Sequence, residues 1–134
     1  MDMRELKQFH DGYFEGAVVR DMVATLFIST VEKKDYVIRL EGVRSLKLEG
    51  FSGGNIIFDV ALRTSSDVTS QDMVSFFGYR DETAAEAKLE EVQREQLLVL
   101  DITPTYGATC SVLAKSAVLR GREEGIRDLL GSFD

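Results

Sequence analysis

Tyr13–Arg20 reads YFEGAVVR and residues 22–30 read MVATLFIST, with Asp21 breaking the run between them. Ala24, Leu26 and Ile28 recur at every second position, the period that sends successive side chains to opposite faces of a strand. Two strands joined so tightly must run antiparallel, because a parallel return needs a crossover of about a dozen residues. This hairpin sets the class: the chain is built on an antiparallel sheet.

The same reading extends downstream. Residues 31–35 (VEKKD) form a polar turn, after which Tyr36, Ile38 and Leu40 alternate with Val37, Arg39 and Glu41. Gly42 interrupts, and Leu46 and Leu48 then alternate with Ser45, Lys47 and Glu49. Residues 52–55 (SGGN) are a turn signal, and Asn55–Arg63 (NIIFDVALR) reads as a fifth strand. Five strands with short connections predict a meander. Near the C-terminus, residues 97–103 and 108–119 flank the turn PTYG and predict a final hairpin, giving about seven strands.

Upstream, Asp2 caps a short predicted helix over 3–8, and HDG at 10–12 turns into the first strand. Between the two strand blocks the period changes. Residues 69–72 (TSQD) offer a cap for a short helix carrying Met73, Val74, Phe76 and Phe77, although a strand also fits there. Residues 83–86 (TAAE) read as a capping box opening the main helix, with Ala85, Leu89 and Val92 as its apolar stripe. One further helical turn is expected around Ile126, Leu129 and Leu130. The expectation is one α+β domain over residues 1–134: a curved antiparallel sheet of a five-strand meander, a helix and a final hairpin, with one main helix packed on it. The fifth and sixth strands are apolar at nearly every position. Such strands are covered on both faces or hide one in a subunit interface, which is compatible with a homodimer.

Composition is that of an ordinary globular chain: 134 residues, 44% hydrophobic and 29% charged. No apolar run is long enough to span a bilayer or to serve as a signal peptide, and a lone Cys110 cannot make an intrachain disulfide. A cytoplasmic location without membrane contact is expected. The net charge of −7 is unevenly spread: residues 66–101 hold 9 acids against 3 bases, while the segments on either side are close to balanced. A phosphate backbone would be repelled, so nucleic acid is excluded as a partner.

One histidine removes most catalytic constellations. Histidine-rich metal centres and Cys-His zinc fingers cannot be assembled, and no metal or other cofactor is predicted. His10-Asp11 resembles the metal-binding dipeptide of HD-type phosphohydrolases, but the further histidines that such sites need are missing. The glycines at 50–54 lead into a strand and no lysine follows them, so they form a hairpin turn and not a phosphate cradle. Cys110 lies within a strand pattern, where a thiol is packed and inert. Asp59 and Asp101 each interrupt an apolar strand, and pleat alternation predicts that they face outward. A polar site on that open face would unite His10, Asp59, Asp101 and Tyr106. The second candidate surface is acidic: Asp81, Glu82, Glu86, Glu90, Glu91 and Glu95 fall within fifteen residues, in and just ahead of the predicted main helix, where only Glu90 with Arg94 offsets the repulsion. Like charges at i,i+4 each cost a few tenths of a kcal/mol, a burden that a basic partner protein would relieve.

FHDG at 9–12, GNIIFDV at 54–60 and TYGA at 105–108 together resemble a group of small bacterial cytosolic domains, some of them immunity-like proteins that neutralise a toxin. The resemblance implies a sheet-rich fold and carries no catalytic residues. The expected function is therefore a non-enzymatic protein-binding module of the bacterial cytoplasm, immunity-like, acting through its acidic surface. The competing expectation is a small-molecule binder or hydrolytic enzyme using the open sheet face.

Overall fold

The break at Gly42 decides how the sheet is assembled. Here the backbone takes φ +64°, and an added Cβ would stand 2.8–3.0 Å from the stem carbons of Lys115. A glycine satisfies both demands, the left-handed conformation and the close approach. The chain swings away at this point, and the strand that follows does not return beside the one before it.

The structure, a computed structural model, describes residues 1–131. Its strands are β1 (Tyr13–Arg20), β2 (Val23–Ser29), β3 (Asp35–Glu41), β4 (Ser45–Glu49), β5 (Asn55–Arg63), β6 (Leu98–Tyr106), β7 (Thr109–Ala114) and β8 (Ser116–Gly121). All neighbours are antiparallel, in the order β4-β7-β6-β5-β1-β2-β3-β8. Four helices accompany them among the described residues: α1 (Met3–Leu6), running into a 3-10 turn at Lys7–Phe9, α2 (Ser70–Phe77), α3 (Glu82–Glu95) and α4 (Arg122–Gly131). The α+β class and the antiparallel sheet are as expected from the sequence.

Three details are corrected. First, only β1, β2 and β3 form a meander, because β4 pairs with β7 rather than with β3 or β5. Second, the run 108–119 is two strands. Lys115 interrupts it opposite Gly42, Lys115 N donates to Glu41 O at 2.9 Å, and Arg44 N donates to Leu113 O at 2.7 Å. Third, Asp81 rather than Thr83 caps the main helix, accepting from Thr83 N at 2.8 Å. Capping boxes do occur, at Asp2 with Glu5 in α1 and at Thr69 with Asp72 in α2, which settles residues 70–77 as helix. The expected turn around Ile126 is the ten-residue α4.

These pairings divide the sheet into two four-stranded halves, β4-β7-β6-β5 and β1-β2-β3-β8. β3 continues into β4, β7 continues into β8, and both bend at the same level. β1 and β5 share just two residue pairs, so the two halves are joined there only briefly. A sheet bent at such corners folds over on itself and buries its concave faces. Phe14, Leu26, Ile28, Ile38 and Leu40 from one half meet Val60, Leu100, Ile102, Cys110 and Val112 from the other, with Leu6 and Phe9 filling the end.

A second core lies on the convex side. Val99 and Leu113 point outward from β6 and β7 and are covered by Met73 of α2 and by Ala85 and Val92 of α3, with Val68 and Leu97 beside them. β6 is therefore apolar on both faces because helices cover one of them, and its composition needs no subunit interface. On the other half, α4 lies so close to β3 that a methyl group on Gly125 would overlap Val37.

Substituting Gly42 with Ala is expected to lower unfolding free energy by about 1–3 kcal/mol, the cost of holding a non-glycine residue at positive φ. Urea denaturation measures it, and an unchanged midpoint would show that the corner does not depend on Gly42.

Candidate functional site

Register on the convex face of the β4-β7-β6-β5 half places polar side chains in rows. Ala61, Asp101, Ser111 and Lys47 are successive cross-strand partners, and one step along, Asp59 pairs with Thr103 and Glu49 with Thr109. Paired residues in an antiparallel ladder point to the same face. The preceding row, Val99 with Leu113, is the one capped by α2 and α3. The polar rows emerge from beneath the end of α2, and Ser75 and Phe76 overhang them. A cavity of about 240 Å³ results, lined by Lys47, Glu49, Ser75, Phe76, Asp101, Thr103, Thr109 and Ser111.

Asp101 is the floor of this cavity, with 7% of its surface exposed. Ser111 Oγ donates to Oδ1 at 2.9 Å and Thr103 Oγ1 donates to Oδ2 at 3.2 Å. Burial pushes its carboxyl above the usual range; the two hydroxyl bonds and the Arg63 charge pull it back, and Asp59 adds to the rise. The guanidinium of Arg63 lies on Phe76, 4.8 Å from the ring centroid, and its Nη1 is buried without a hydrogen-bond partner among the described residues. Lys47 pairs with Glu49 at 3.3 Å. No ion pair reaches Asp101 among the described residues, so its charge is compensated by dipoles and by Arg63 at longer range.

The four residues expected to share a polar site do not all meet. Asp59 is exposed one row from Asp101, in line with pleat alternation. His10 instead sits against Phe58: Nδ1 lies 2.6 Å from Phe58 O, the rings meet edge to face, and Nε2 lies 3.6 Å from Asp11. Tyr106 stands 61% exposed at the end of β6, opposite Ile56 and outside the cavity. The hydroxyls of Thr103, Thr109 and Ser111, together with Lys47, Glu49, Arg63, Ser75 and Phe76, were not singled out from the sequence. Ser111 carried the one available signal, a polar residue centred in TCSVLA.

A larger cavity of about 380 Å³ lies where β1 parts from β5, lined by Tyr13, Phe14, Glu15, Lys33 and the loop 51–55. Its buried polar residue, Asn55, is fully committed: Oδ1 accepts from Ser52 N and Ala108 N, and Nδ2 donates to Phe14 O and Ser52 O. Nothing buried is left there to meet a ligand. Cys110 is packed in the core, and burial pushes its thiol up to about 12, so it carries no thiolate at neutral pH.

The acidic residues of α3 divide into two groups. Glu91 pairs with Lys88 at 2.8 Å, and Glu95 with Arg44 at 3.1 Å; that bond holds the Glu95 carboxyl below its usual range. Asp81 is spent as the cap. Glu82, Glu86 and Glu90 remain, one turn apart on an exposed stripe, with no ion pair among the described residues. Against this geometry, no protein-family model and no curated protein sequence matches the chain.

Because its pKa is raised on folding, Asp101 contributes stability below the ordinary carboxylate range that is lost as pH rises through the raised value. Asp101→Asn keeps both hydroxyl partners, since the amide oxygen accepts from Ser111 and the amide nitrogen donates to Thr103. Relative to wild type, the variant is expected to gain stability in urea unfolding as pH rises through and above the ordinary carboxylate range. A constant difference across that range would contradict a raised pKa. Cys110 is likewise expected to resist alkylation until the protein unfolds; modification of the folded protein at the rate of a free thiol would contradict its burial.

Proposed function

We propose that this chain is a non-enzymatic protein-binding module of the bacterial cytoplasm, immunity-like, whose partner is a basic protein docked on the outer stripe of α3. The observation that carries the reading is the contrast within one helix. Glu91 and Glu95 are neutralised by Lys88 and Arg44, whereas Glu82, Glu86 and Glu90 stand exposed, without an ion pair among the described residues and at mutually repulsive i,i+4 spacing. Glu82 gains from lying at the positive end of the helix dipole. Glu86 has no such return, and Glu90 has only Arg94 one turn on; a cationic partner adds to it. Complementary charge of this kind speeds encounter and selects partners more than it adds affinity.

Two features favour binding over catalysis. The imidazole of His10 is held to a backbone carbonyl on the surface, and the Cys110 thiol is buried and protonated. Among the described residues, no group of three or more His, Cys, Asp or Glu is placed to hold a metal ion. No described helix is long and apolar enough to cross a membrane.

Reversing the stripe with Glu82→Lys, Glu86→Lys and Glu90→Lys together is expected to abolish capture of the partner from native-cell extract. It should lower the unfolding free energy by no more than about 1–2 kcal/mol, chiefly from the reversed charge at Glu82 on the helix N-terminus, and leave the protein folded. Wild-type capture should weaken at high salt, where exposed charges are screened. Capture that survives both the triple reversal and high salt would exclude the acidic stripe as the docking surface.

A further inference from the structure

We propose that the cavity over Asp101 binds a cationic head group, an alkylammonium or a guanidinium. The inference does not depend on the α3 stripe; it rests on how the hydrogen-bonding capacity of the cavity is already used. Ser111 and Thr103 each have one hydroxyl proton, and both protons are spent on Asp101. What these hydroxyls turn toward the cavity is lone pairs. The carboxylate has taken one bond on each oxygen and keeps capacity for more. Thr109, Ser75 and Glu49 add further oxygens to the wall, and the one ammonium, Lys47, is drawn onto Glu49. The cavity is thus rich in acceptors and built around a buried carboxylate that, among the described residues, has no ion pair; the donors it keeps, on Lys47, Ser75 and Thr109, do not neutralise that charge.

A ligand that completes it must bring donors and positive charge. An anion would face the carboxylates of Asp101 and Glu49, and a neutral acceptor would leave the buried carboxylate uncompensated. Size narrows the choice further. At about 240 Å³ the space is below the roughly 300–1,000 Å³ of drug-sized sites, so it takes a head group and not a nucleotide or an extended chain. Phe76 supplies an aromatic wall, and the Arg63 guanidinium lies against that ring at 4.8 Å. The charged groups around the site are Asp101, Glu49 and Asp59 against Lys47 and Arg63. One positive charge brings that set to neutrality.

The same chemistry has two sources, a free amine or a Lys or Arg side chain of a partner protein. Titration of the ¹⁵N-labelled protein with methylammonium, methylguanidinium, agmatine and a capped arginine amide tests the site. Saturable shifts are expected at the amides of residues 47, 101, 103 and 111, with dissociation constants of about millimolar for the smallest probes. Affinity should rise with pH as Asp101 ionises, should keep that dependence in Glu49→Gln, and should fall about tenfold in Asp101→Asn, a change worth 1.4 kcal/mol. Asp59→Asn, one row away and exposed, should matter little. Agmatine binding at least as tightly as the capped arginine assigns the site to a free amine; preference for the capped arginine assigns it to a partner side chain. The proposal is overturned if no probe saturates, if acetate or phosphate shifts the same amides instead, or if binding is indifferent to both pH and Asp101→Asn. Wild-type pH dependence keeps the test decisive should a variant fail to fold.

Discussion

The paired corner at Gly42 and Lys115 is the constraint on which the rest of the molecule depends. Backbone bonds on either side of it, Lys115 N to Glu41 O and Arg44 N to Leu113 O, bind two strands that turn together. Without the turn, β3–β4 and β7–β8 would make one long flat ladder with an apolar face too wide to cover. With it, one sheet supplies both walls of its own core, and Phe14, Leu26 and Ile38 meet Leu100, Cys110 and Val112.

Folding over leaves two convex faces, and they are treated differently. α4 lies tightly on β3, where Gly125 leaves room for Val37. α2 and α3 cover Val99 and Leu113 but stop short of the next rows, because α2 ends at Gly78 in the left-handed conformation. That early stop leaves Asp101 buried enough to be perturbed and open enough to be reached. The helix pair also carries the acidic stripe outward, so both candidate surfaces belong to the same helical layer.

Local features were legible in the sequence where a short-range rule decides them. The β1–β2 hairpin follows from period 2 and a tight break at Asp21. The cap at Thr69 follows from its spacing to Asp72, and Asp101 faces outward as pleat parity requires. What failed needed long-range information. Period 2 says that residues 36–41 and 45–49 are strands but not that they part at Gly42. Lys115 falls at an ordinary position of an alternating run, and its role appears only beside Gly42. Asp81 and Thr83 are both good cap residues two positions apart, and Asp81 caps by accepting from Thr83 N. His10 and Tyr106 looked like partners for Asp101 by residue type alone. The hydroxyls that do serve it come from its own strand and from Ser111 across the ladder.

The ladder of β3 with β8 joins Tyr36 to Gly121, and that of β4 with β7 joins Ser45 to Leu113. Contacts this distant along the chain tend to be made slowly, since loop closure must precede them. During synthesis β4 has no strand to pair with until β7 has left the ribosome, and the outer edge of β3 waits for β8. The nascent chain therefore carries two unsatisfied strand edges through most of its elongation, the kind of exposure that invites pairing with a neighbour. Lys47 and Glu49 on β4, and Arg39 and Glu41 on β3, put charge along those edges during the interval.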